Sequence, residues 1–154
     1  MYVVQRWHRA TTLEDSGMDK LNFYIDGGWV KPSENKTLDV INPATECAVA
    51  TISLGSLADV NLAVSSARTA FKSYSQTPVS QRIELLTSIR EIYKRRVDDV
   101  ADAIQTEMGA PTSLAKGAQA MVGLAHLKAA ISALEKHEFE YQHDQFIIRH
   151  EPIG

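Results

Sequence analysis

Apolar and polar positions change period twice along this chain. Residues 21–54 carry short, alternating apolar runs, residues 56–136 space their apolar side chains at three and four, and residues 139–148 alternate again. A period near 2 fits half-buried strands and a period near 3.6 fits amphipathic helices, so the pattern predicts β, then α, then β. Phe23-Tyr24-Ile25 and Trp29-Val30 flank Asp26-Gly27, a pair that tolerates the positive φ values of a tight hairpin. Leu38 and Val40 alternate with Asp39, and the run Ala48 to Leu54 resumes an extended pattern after Asn42-Pro43-Ala44-Thr45. This predicts a second hairpin with its proline confined to the turn.

Three helices are predicted next. Ser56 can cap the first by accepting an orphan amide, with Asp59 three residues on near the positive end of the helix dipole, and Val60, Ala63, Val64, Ala67 and Phe71 make its apolar face. Thr77-Pro78 opens the second, threonine as cap and proline as first helical residue. Leu86, Ile89, Tyr93, Val97, Val100 and Ile104 form one face of that helix, and Glu91 is placed to pair with Arg95 on the other. Gly109 and Pro111 end it. The third runs from Thr112 or Ser113 to about Lys136, with small residues that permit close packing. A closing arm follows, Phe139 and Tyr141 before a polar break at Gln142 to Gln145, then Phe146 and Ile148. An isolated hairpin is marginal in water, so this arm calls for another sheet, its own or a partner's.

Composition narrows the functional classes. The chain has 154 residues, 44% hydrophobic and 23% charged, with a formal charge of -3. That excludes a disordered tail and argues against a general nucleic-acid binder. A chain of this length can bury about 68–70% of its unfolded surface, and no run approaches the roughly 20 apolar residues of a membrane span. One cysteine, Cys47, allows no internal disulfide and agrees with a reducing, cytoplasmic setting. In residues 1–17 the apolar pair Val3-Val4 is too short for a secretory core, while Glu14 and Asp15 oppose a transit peptide built on Arg6 and Arg9. The segment reads as a non-native or disordered extension, with Met18 as the true start.

The residues by themselves assign no catalytic, cofactor-binding or metal site. Cys47 follows Glu46, has no neighbouring base and reads as a bystander thiol. His8, His126, His137, His143 and His150 lack metal-ligand spacing. Gly27-Gly28, Gly117 and Gly123 build no phosphate loop between strand and helix. Lys94-Arg95-Arg96 meets Asp98-Asp99 one turn on and reads as a solvated helix face.

Four segments nevertheless stand in a recognisable order: Phe23 to Val30 (FYIDGGWV), Asp39 to Glu46 (DVINPATE), Glu107 to Pro111 (EMGAP) and Glu151 to Gly154 (EPIG). Together they resemble the N-terminal part of the NAD(P)-dependent aldehyde dehydrogenase family, from about Leu21 to the last residue. The resemblance implies an α/β fold class: two β-hairpins, three helices that flank a Rossmann-like sheet, and the start of an antiparallel oligomerisation arm. Residues 18–137 would then be the N-terminal part of the cofactor-binding domain, and 138–154 the start of the arm, with homo-oligomer contacts through 138–149.

In that family a cysteine thiolate attacks the aldehyde, the thiohemiacetal gives hydride to NAD or NADP, and a glutamate-activated water releases the acid. Those groups lie after the Glu-Pro-Ile-Gly motif, and Cys47 does not match the nucleophile's segment. The resemblance therefore implies that this chain alone binds no cofactor and is inactive. In some members, backbone carbonyls at positions matching Val40, Ile41 and Glu107 help hold a monovalent cation, with further ligands from later segments. A reading of a different class is a short interaction module docking through its arm on a full-length subunit.

Overall fold

The computed structural model describes residues 20–153, so the expectations for residues 1–17 and Met18 lie outside the described residues. The elements are β1 (Phe23–Ile25), β2 (Gly28–Val30), β3 (Thr37–Asn42), β4 (Cys47–Ser53), α1 (Leu57–Tyr74), α2 (Val79–Arg95), α3 (Val97–Met108), α4 (Thr112–Leu114), a π-helical turn (Ala115–Gln119), α5 (Ala120–Lys136), β5 (Glu140–His143) and β6 (Phe146–Arg149). The strand, helix, strand order and the α/β class read from the sequence are those of the structure. Among the described residues the strands form three separate two-stranded antiparallel sheets.

Turn chemistry sets each hairpin. Asp26 (φ 53°) and Gly27 (φ 76°) take the paired left-handed conformations that match the twist of β1 and β2. Tyr24 then lies opposite Trp29, and their rings meet edge to face at 5.2 Å. Between β3 and β4 the Asn42 carbonyl accepts from the amides of Thr45 and Glu46, so Pro43 stays in the turn. The register of this pair shifts between Val40 and Ile41. In the arm, Asp144 (φ 52°) turns β5 into β6, and Tyr141 faces Ile148.

The capping box of α1 is complete: the Asp59 amide donates to Ser56 Oγ at 3.3 Å, and the Ser56 amide to Asp59 Oδ2 at 2.8 Å. The second predicted helix is two helices. Arg96 leaves helical geometry (φ -111°, ψ 16°), and its amide reaches the carbonyls of both Ile92 and Tyr93. Basic Lys94 and Arg95 end α2 while acidic Asp98 and Asp99 open α3, each charge sign suiting the helix terminus it occupies. The apparent mixed face is thus a helix junction, and Arg96 Nε bonds Asp99 Oδ2 at 2.9 Å across it. Glu91 lies 4.0 Å from Arg90, its neighbour, in place of the expected Arg95. Pro78, not Thr77, occupies the cap of α2 and makes no side-chain bond there. The third predicted helix is interrupted by the π turn, where Ala115 and Ala120 are fully buried.

Packing centres on α3, the π turn and α5. Ala101, Ala115 and Ala120 are buried there, with Val97, Val100, Ile104 and Ala110 against them. Small side chains let these backbones approach, and Tyr93 on α2 reaches across to donate to the Ala120 carbonyl at 2.8 Å. No large side chain among the described residues is fully buried.

Candidate functional site

Two of the sequence motifs meet where β3 touches the C-terminal end of α3. Asn42 anchors the contact. Its Oδ1 accepts the Ala44 amide at 2.8 Å, folding the turn back on itself, while its Nδ2 donates to the Gln105 carbonyl at 3.5 Å. That carbonyl also takes the Gly109 amide at 3.0 Å, so one oxygen serves both the helix end and the docked hairpin. Gly109 ends α3 at φ 64°, where a side chain is strained. A Cβ there would fall 2.7 Å from Ala44 Cβ and 2.8 Å from Asn42 Oδ1. The Asn-Pro-Ala turn and the Met-Gly-Ala segment are therefore two halves of one joint.

Gln105 completes the joint, and sequence reasoning missed it. Its Nε2 donates to the Ala101 carbonyl at 3.3 Å, and its Oε1 accepts from Thr112 Oγ1 beyond the Gly109 cap. The readable signal was a polar residue seven before Thr112 with a glycine cap between. The carbonyl positions carried by the resemblance also fall at this joint. Val40 and Ile41 straddle the register shift of β3, and Glu107 sits in the last turn of α3. Four residues after Glu107 stands Pro111, which has no amide to offer, so the Glu107 carbonyl lacks a helical partner.

A second polar cluster clasps the start of α1. Asp59 is buried and accepts from the amide and hydroxyl of Ser33, both at 3.0 Å, and from the amide and hydroxyl of Ser56 at 2.8 and 2.9 Å. The Ser56 amide is the largest influence lowering its pKa to about 2; burial opposes this, and the Ser33 amide and the two hydroxyls add to it. Every one of these contacts is structural, tying the loop at Ser33 to the helix.

The remaining sequence candidates do not converge. Cys47 is exposed at the start of β4, its thiol donating to the Thr45 carbonyl at 3.3 Å with no base beside it. His137 and His150 meet each other, while His126 lies on α5 and His143 at the arm's turn. Among the described residues no cluster of three metal-ligating side chains forms. Nor do those residues fit a dinucleotide. Their sheets are antiparallel pairs, and none feeds a glycine-rich loop into a helix N-terminus, so they offer the phosphates of a nicotinamide cofactor no cradle. No helix of the described residues is long and apolar enough to cross a membrane.

Residues 29–154 match the family model described as the aldehyde dehydrogenase family. The 3-succinoylsemialdehyde-pyridine dehydrogenase of a Pseudomonas species is 44% identical over 137 residues, covering 88% of this chain and 29% of that protein. Aldehyde dehydrogenase from Bartonella henselae superposes with a TM-score of 0.80 at 38% identity, over 82% of this chain and 27% of that one. A variant of aldehyde dehydrogenase C from Pseudomonas syringae, solved with NAD+ and octanal, gives a TM-score of 0.77 at 38% identity, over 79% of this chain and 25% of that one. The chain spans less than a third of the length of these relatives.

Proposed function

Because this chain belongs to the aldehyde dehydrogenase family, we propose that it is the N-terminal scaffold of a cytoplasmic, homo-oligomeric enzyme that oxidises aldehydes to carboxylic acids with NAD or NADP. On this reading residues 18–137 are the N-terminal part of the cofactor-binding domain, and residues 138–154 begin the oligomerisation arm. The chain by itself neither binds the cofactor nor turns over an aldehyde, since its described residues supply no nucleophile with a base and no phosphate cradle. Its residues act on the reaction only by position: the Asn42–Gly109 joint fixes the second hairpin on α3, and α1 offers an apolar face to the rest of the enzyme.

One observation supports this most directly. Much of the apolar face of α1 lies open, with Val60 53% and Val64 47% exposed and Leu57 76% exposed beside them, while Ala63 and Phe71 are half-buried. A chain of this length that folded to completion would bury about 68–70% of its unfolded surface, large side chains included.

The test is complementation. Residues 18–154 are joined to the part of the Pseudomonas relative that follows its matching segment, and NAD- and NADP-dependent oxidation of 3-succinoylsemialdehyde-pyridine is followed at 340 nm. The fusion should be active and this chain alone silent. Turnover by the chain alone, or a well-folded fusion without activity, overturns the proposal.

A further inference from the structure

The base of the arm holds four rings in one cluster. His137 caps the end of α5, and its ring stacks on that of His150 at 5.1 Å with 20° between planes. Phe139 meets His137 edge-on at 4.5 Å, and Tyr141 meets His150 edge-on at 5.9 Å. His150 Nδ1 and His137 Nε2 stand 3.1 Å apart, a hydrogen bond between the helix end and the residue that follows β6. The His150 amide closes the same corner, donating to the Phe139 carbonyl at 2.8 Å.

We propose that His137 and His150 form a proton-sensitive latch that holds the β5–β6 arm against the end of α5 and releases it when both rings are protonated. A hydrogen bond between two imidazoles needs one nitrogen to donate and the other to accept. One added proton leaves an acceptor on the second ring, and the bond survives. Two added protons set N–H against N–H between two stacked cations, so attraction becomes repulsion. Imidazole is the side chain whose charge ordinarily changes between pH 5 and 8, so that is the interval in which to look for release. The inference stands on this geometry and does not depend on what the arm contacts.

Strand alternation puts Tyr141, His143, Phe146 and Ile148 on one face of the hairpin, and Glu140, Gln142, Ile147 and Arg149 on the other. Arg149 is engaged there by Glu140 at 2.7 Å and Glu151 at 3.7 Å. The ionisable groups beside the two rings are Tyr141, whose ring meets His150, Lys136 and Glu138 flanking His137, and Arg149 and Glu151 flanking His150. His143, at the arm's turn and away from both rings of the pair, serves as the control.

The experiment follows amide exchange of His150 in the full chain by NMR between pH 7.5 and 5, after correction for the intrinsic rate. Protection should fall by about tenfold or more at the acid end, as expected for local opening. His137→Gln and His150→Gln, each able to donate and accept without titrating, should flatten that dependence, while His143→Gln should leave it intact. The ring proton shifts give a second reading on the unmodified chain, where each ring's curve should change when the other is replaced. A flat profile in the unmodified chain, loss of the dependence in His143→Gln, or two ring curves indifferent to each other would overturn the latch.

Discussion

Gly109 and Ala44 stand so close that a methyl group on the glycine would lie 2.7 Å from the Ala44 Cβ, well inside ordinary contact. The glycine also sits at φ 64°, so substitution is opposed twice, by conformation and by space. Gly109→Ala should cost at least about 1–2 kcal/mol from the left-handed backbone alone, plus the loss of hairpin docking. Thermal melting of the complementing fusion, with Ala110→Gly as a control, measures this. An unchanged Tm would show that the joint yields freely.

The Asp59 clasp predicts acid sensitivity with a definite sign. Folding lowers the carboxyl's pKa from 3.8 to about 2, so the ionised form stabilises the fold above about pH 3.8, and that contribution is lost as pH falls through about 2. Circular dichroism between pH 5 and 2 should show helix loss that is less steep in Asp59→Asn. At neutral pH the same variant should be the less stable of the two, because an amide cannot accept all the Ser33 and Ser56 donors. Ser56→Ala should cost about 1 kcal/mol through the lost cap.

Gly123 on α5 faces Tyr93. A Cβ there would lie 2.5 Å from the Tyr93 hydroxyl oxygen and from the ring carbon that carries it. Alanine normally favours a helix by about 1 kcal/mol over glycine, while overpacking costs about 1–3 kcal/mol. Gly123→Ala should therefore be neutral to destabilising by about 2 kcal/mol, the reverse of a surface helix. In a Tyr93→Ala background the same change should become stabilising, which urea midpoints of the four variants would reveal.

Cys47 is exposed and bonded only to a backbone carbonyl. Cys47→Ser should leave kcat/KM of the complementing fusion within about twofold, an effect under about 0.5 kcal/mol. A larger loss would give the thiol a role that its surroundings do not suggest.

The open apolar surface predicts behaviour of the chain alone. Leu57, Val60, Leu62 and Val64 on α1, together with Phe146 and Ile147 on the arm, should bind a hydrophobic dye and drive self-association. Val60→Glu with Val64→Lys should reduce dye binding in the isolated chain and should harm the fusion. Dye-silent, monomeric behaviour in sedimentation would contradict an uncovered face.

Local chemistry made much of this structure legible. Asp26-Gly27, the Ser56 capping box, the Gly109 terminus and the alternation of the arm each act over a few residues, so their sequence signatures survive into the fold. The break at Arg96 was hidden because neither glycine nor proline marks it. The change from basic Lys94 and Arg95 to acidic Asp98 and Asp99 was its trace, and it also suits an unbroken charged face. The π turn was hidden for a related reason: Ala115, Gly117 and Ala118 suit any helical hydrogen-bond pattern, and close packing on α3 selects this one.

The chain by itself determined the order of strands and helices, its hairpin turns and, through four ordered motifs, its family. Tertiary structure alone decided that Asn42, Gln105 and Gly109 form one joint and that His137 meets His150. The division is physical. Periodicity, caps and turn residues are set by interactions within a few positions, whereas a joint between residues more than sixty apart exists only once the backbone has been placed in space.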